Sequence, residues 1–136
     1  MPSLVGLYSF EQELSNLNNW IEAINIIKMK FTNYSLQFKL HPLTKQNPEL
    51  YQIQDYIKSK CKGIDIINPS VNAQKLIHKS QVVISDVSTV LWWANFLEKK
   101  KIISMDLKNF INSDQMKYYH NVYYFENIEK LKNFNF

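Results

Sequence analysis

The sequence predicts an α/β fold: a Rossmann-like three-layer sandwich around a mostly parallel sheet of five or six strands. Two observations lead there. Short apolar runs alternate with longer stretches whose apolar residues recur every third or fourth position. Strands separated in this way by helices form right-handed βαβ units. The run Val82–Ser85 is apolar until its last residue, as expected of a parallel strand covered on both faces. With 136 residues, the chain is expected to form a single domain over 1–136.

The elements follow in order. Ser3 to Tyr8 is a short strand. From Glu11 to Phe31, Leu14, Leu17, Ile21, Ile24, Ile27 and Phe31 make one helical stripe. Ser35 to Leu40 alternates as a strand does and is closed by His41-Pro42. Pro48 suits the first turn of a helix whose face is Leu50, Ile53, Ile57 and Cys61, and Gly63 ends it. Ile64 to Ile67 is a strand stopped by Asn68-Pro69. Asn72 is a natural N-cap for a helix to Lys79. After Val82–Ser85, a helix opens at Asp86, Ser88 and Thr89 and runs to about Glu98. Lys101 to Met105 is a strand, Asp106 to Asn121 a polar stretch, Val122 to Phe125 the last strand, and Glu126 to Phe134 the last helix.

Composition narrows the function classes. Gly6 and Gly63, the two glycines, stand too far apart for a dinucleotide fingerprint or a P-loop. The net charge of +4 comes with no arginine at all, so the chain lacks the bidentate fork that reads guanine, and nucleic acid is not expected as a partner. One cysteine cannot form an internal disulfide, which fits a reducing, cytoplasmic setting. No apolar run approaches the roughly 18 residues of a membrane span, leaving peripheral membrane contact at most. His78 and His120 have no companions at metal-ligand spacing, so neither a metal nor a cofactor is expected.

In an open parallel sheet, ligands bind beyond the carboxyl ends of the strands. His41-Pro42 and Asp86-Val87-Ser88-Thr89 each follow a strand directly, so both sets are expected on one rim. The second set begins a helix, whose unpaired N–H groups and dipole suit a phosphate. Ser88 and Thr89 add neutral donors. The local alternative is a plain N-cap. An imidazole at position 41 can donate to a phosphate or protonate a leaving group near neutral pH, or His41-Pro42 can simply be a turn. Lys45 can charge-pair with the same anion or stay solvated. Of Trp92 and Trp93, one is expected in the core and the other over the rim or at an interface.

These residues carry a resemblance. Phe38-Lys39-Leu40-His41-Pro42-Leu43, then Val82–Val90 containing Asp86-Val87-Ser88-Thr89, then Lys101–Asp106, resemble the donor-binding half of GT-B transferases. The resemblance is to the CDP-glycerol glycerophosphotransferase type and to bacterial sialyl- and capsule-sugar transferases. It covers about residues 35 to 131. It implies a nucleotide-activated donor, cytidine in type, for cell-surface polysaccharide synthesis. His41 would be the catalytic contact. His41 and the Ser88-Thr89 turn would contact the donor's phosphates and backbone near Ile67 and Asn68 would border the base, with Asp86, Pro42 and Lys45 counted among the donor-binding residues. It also implies an acceptor domain, for which the chain has no room, so that half would come from elsewhere in a longer protein or from a partner chain. Catalysis as a transferase depends on that second half. The competing reading is a non-catalytic interaction or regulatory domain with no nucleotide. The half of a sugar-nucleotide epimerase ranks third, because no acidic or glycine-rich element follows Thr89.

Overall fold

The strands are β1 (Ser3–Tyr8), β2 (Ser35–Leu40), β3 (Asp65–Ile67), β4 (Val82–Ser85), β5 (Lys101–Met105) and β6 (Val122–Phe125). The helices are α1 (Leu14–Lys30), α2 (Leu50–Lys60), α3 (Ala73–Lys79), α4 (Thr89–Phe96) and α5 (Ile128–Asn133). They come from a computed structural model that describes residues 3–8, 14–40, 48–85, 89–97, 101–106 and 122–136. All six strands join one sheet in the order β3-β2-β1-β4-β5-β6, and every neighbouring pair is parallel. The α/β sandwich and its parallel sheet are therefore as the sequence predicts.

The helices divide between the two faces. On one side, Leu17, Trp20, Ile24 and Ile27 of α1 and Ile53 and Ile57 of α2 pack with Phe38, Leu40, Ile84 and Met105 of the sheet, and Leu131 of α5 joins them. On the other, Ile77 of α3 and Ala94 of α4 pack on Val83 and Ile102. The alternation along β4 explains this: Val82 and Ile84 serve one core, Val83 the other, and all four residues of the strand are buried.

Helix boundaries are set by caps. Asn72 Oδ1 accepts from the Gln74 N–H at 2.8 Å, and Asn127 Oδ1 accepts from the Lys130 N–H at 2.9 Å. The second bond explains why the last helix starts at Ile128 instead of Glu126. Residues 48 and 49 form a turn ahead of α2, and the Glu49 side chain makes no cap bond. Gly63 takes φ +79°, the left-handed conformation that costs glycine nothing, just after α2. The C-terminal segment is tied back by Lys30, whose ammonium donates to the carbonyls of Lys132 (3.0 Å) and Phe134 (2.7 Å). Replacing Asn72 with Ala removes a cap at an exposed position. Urea unfolding should show a loss of about 0.5–2 kcal/mol with an unchanged m-value.

Candidate functional site at the carboxyl rim

The strand order contains one reversal. From β1 the chain winds outward to β2 and β3, then returns to place β4 on the opposite side of β1 and continues to β5 and β6. In open parallel sheets the connections on the two sides of such a point leave in opposite directions, and ligands bind in the crevice beyond the strands' carboxyl ends. Helix α4 begins at Thr89, four residues after β4 ends, and its N-terminus belongs to this rim. The end of β2, where His41 follows, is one strand beyond β1. With neighbouring strands about 4.8 Å apart, β2 and β4 end roughly 10 Å from each other, a gap that a nucleoside diphosphate spans.

Of the residues singled out from the sequence, His41, Pro42, Lys45, Asp86 and Ser88 lie outside the described residues. The strands that lead to them, β2 and β4, point the same way and end at the same rim. Thr89 is the first residue of α4. Asn68 is exposed just after β3, and its side chain is engaged locally. Its Oδ1 accepts from both the N–H (2.9 Å) and the hydroxyl (2.7 Å) of Ser70, while its carbonyl accepts from the Val71 N–H at 3.0 Å. Asn68 thus shapes a turn at the rim beside β2.

The register reveals a set of residues that sequence reasoning missed. Ile67, Lys39, Leu7, Ser85, Ser104 and Tyr124 lie side by side across the sheet, one from each strand, at or next to its carboxyl end. This row belongs to the sheet face carrying α3 and α4, because Ser85 and Ser104 sit two residues beyond Val83 and Ile102. Lys39, Ser85 and Ser104 are all buried. The Lys39 ammonium donates to the carbonyls of Leu40 (3.1 Å) and Pro69 (3.0 Å), and burial lowers its pKa from the ordinary lysine value. The Ser104 hydroxyl has no partner among the described residues.

At the far end of the row, the Tyr124 hydroxyl donates to Asp106 Oδ2 at 2.6 Å, and Asp106 is itself buried. The Asp106 N–H donates to the Phe125 carbonyl at 2.8 Å, so this carboxylate is fixed where β5 ends. Burial raises the Tyr124 pKa above the ordinary tyrosine range. The hydrogen bond to Asp106 and the charges of Asp106 and Glu126 push it the same way. A phenol whose folded pKa is raised adds stability below the unfolded pKa of about 10, and loses it as pH rises towards the folded value. Removing the carboxylate's charge in Asp106→Asn should bring the Tyr124 titration down, as followed by NMR of ring-labelled tyrosine. An unmoved titration would mean that Asp106 does not hold the phenol.

Other groups are less suited to chemistry. Cys61 is buried against the Ile21 carbonyl, and burial pushes its thiol up to about 11, which keeps it protonated and unreactive. No three His, Cys, Asp or Glu side chains converge as a metal site among the described residues. No helix among them is long and apolar enough to cross a membrane. A groove of about 590 Å³ runs between β6 and α5, lined by Tyr123, Tyr124, Phe125 and Phe134, at the sheet's lateral edge and away from the β1–β4 reversal. Trp93 is half-buried against α3 and α4, whereas Trp92 is exposed and stacks on exposed Phe96 with ring centroids 5.8 Å apart. Trp93 thus packs against the core while Trp92 is exposed.

No protein-family profile matches the chain, and no curated protein matches it in sequence. Solved structures do match. UDP-GlcNAc 2-epimerase of Methanocaldococcus jannaschii, in complex with UDP-GlcNAc and UDP, superposes with a TM-score of 0.69 at 22% identity, over 96% of this chain and 37% of that one. MnaA of S. aureus, in a co-structure with UDP, gives 0.68 at 14% identity, over 96% of this chain and 35% of that one. MT0777 gives 0.56 at 5% identity, over 92% of this chain and 85% of that one. The chain therefore spans about a third of the length of the two UDP-bound proteins. At these identities the likeness is one of fold.

Proposed function

We propose that this chain binds the nucleotide part of a nucleotide-activated sugar or polyol at the carboxyl rim of its sheet. The carrying observation is the strand order. Its single reversal lies between β1 and β4, and α4 begins at Thr89, shortly beyond the end of β4. The N–H groups of that first helical turn, with the hydroxyls of Ser88 and Thr89, would hold the phosphates. His41, beyond the end of β2, would donate to a phosphate oxygen and protonate the departing group in a transfer reaction. Pro42, Lys45 and Asp86 would join them in binding the donor, and Asn68 would border the base.

Two of the similar structures hold UDP, which brings uridine level with the cytidine implied by the sequence resemblance. The donor half of a transferase for cell-surface polysaccharide remains our reading of the reaction, with the acceptor side supplied by a second domain or chain. Calorimetric titration of the purified protein with UMP, UDP, CMP and CDP tests the proposal. Binding of a pyrimidine nucleotide below the millimolar range is expected. Millimolar or weaker binding of all four would sink it.

A second reading has its own observation. The exposed Trp92–Phe96 stack lies on α4, so a non-catalytic domain could use that helix to meet another chain. A tight complex in gel filtration, with no nucleotide bound, would favour it over the first.

A further inference from the structure

We infer that Lys39 is a positioning residue that sets the base end of the nucleotide site, an inference that rests on the reading just given. Its ammonium joins two separate stretches of the rim. One carbonyl it reaches, Leu40 O, belongs to the last residue of β2, directly before His41. The other, Pro69 O, lies 30 residues after Lys39 in the chain, inside the turn that Asn68 shapes. Both acceptors are neutral backbone groups. Lysine is rarely buried this deeply, at 2% exposure, without a charged partner, and an ammonium costs free energy to desolvate. A methionine would fill a similar volume without that cost. What the ammonium adds is geometry: two fixed bonds that hold the β2 end and the Asn68 turn at a set spacing.

Among the described residues, the Lys39–Pro69 bond ties this turn back to β2. β3 has three residues, stands at the sheet edge and pairs only with β2, through Gln37, Phe38 and Lys39. The bonds among Asn68, Ser70 and Val71 brace the turn internally but do not fix its place. Lys39 does. Its bond to Pro69 acts on the Asn68 turn beside β2 and β3, away from the start of α4 beyond β4, so the base depends on it more than the phosphates do.

That separation gives a test. Uridine, UMP and inorganic pyrophosphate are titrated into the wild-type protein and into Lys39→Met. Uridine and UMP should weaken about tenfold as the two carbonyls lose their donor, while pyrophosphate, which keeps the first turn of α4 and can lose only on the His41 side, should weaken clearly less. Amide exchange at Ser70 and Val71 should quicken in the variant. Lys39→Gln, which keeps an N–H donor on a shorter side chain, is measured alongside in case Lys39→Met does not fold, with the same base-selective loss expected. Equal losses for uridine and pyrophosphate, unchanged affinities, or failure of both variants to fold would each overturn the positioning role. A wild-type protein that binds neither uridine nor UMP overturns the nucleotide reading itself, and Lys39's role with it. The two failures are distinct because one appears in the wild type and the other only in the variants.

Discussion

Phe38→Ala should destabilise the protein by about 3–5 kcal/mol, as measured by urea unfolding. Phe38 is 0% exposed, in a strand paired on both sides, and its ring belongs to the main core with residues of α1 and α2. Truncation leaves a cavity where strand and helices cannot easily close together, so the lost transfer energy and the cavity add. A domain of this size has about 5–15 kcal/mol in total, so the loss is a large share of the margin and, at the low end of that range, all of it. Tyr51→Ala is the matched control. Tyr51 is 78% exposed, and its loss should stay within about 0.5 kcal/mol. A small effect at Phe38 would mean that β2 does not lie between its neighbours as the sheet order requires.

The consequences for function run through the next residue. β2 alternates, so Phe38 and Leu40 face the main core while Lys39 faces the side of α3 and α4. The sequence Leu36-Gln37-Phe38-Lys39-Leu40 shows that alternation plainly, and it located the strand to the residue. The same pattern misleads about Lys39. A period of two with polar residues on one side ordinarily means that this side faces water. Here both sides of the sheet are covered, and only the turn at Pro69, brought close by β3, shows that Lys39 is buried and held. That contact spans 30 residues and leaves no local signal.

Elements were legible where one segment carries its own periodicity or cap. The stripe from Leu17 to Ile27 is on the core face of α1, and Asn72 caps α3 as its position suggests. Strand order was not legible. The apolar runs of β1, β4 and β5 look alike, and nothing within each names its neighbour. Yet the proposed rim site depends on the order, which places β4, and α4 after it, beside β1. Tyr124 and Asp106 illustrate the same limit: a polar residue in the last strand and an acid after the fifth meet only because β5 and β6 pair.

Replacing Ser88 and Thr89 together with Ala should weaken UMP binding by a few kcal/mol, since each charge-assisted bond to a phosphate is worth roughly 1.5–3 kcal/mol. If these residues only cap α4, the double variant should instead lose about 0.5–2 kcal/mol of stability and bind UMP as before. Stability and affinity therefore move separately under the two accounts, and both can be measured on one protein by urea unfolding and calorimetry. Uridine provides the internal control, because it lacks the phosphate and its affinity should hardly change. The expected pattern is the reverse of that for Lys39→Met, which should weaken uridine and UMP strongly and pyrophosphate less. A nucleotide lying along the rim, from the Asn68 turn to the first turn of α4, requires both patterns. If the Ser88/Thr89 variant lost affinity for uridine and UMP alike, the two ends would not be separate, and the base would have to lie over α4.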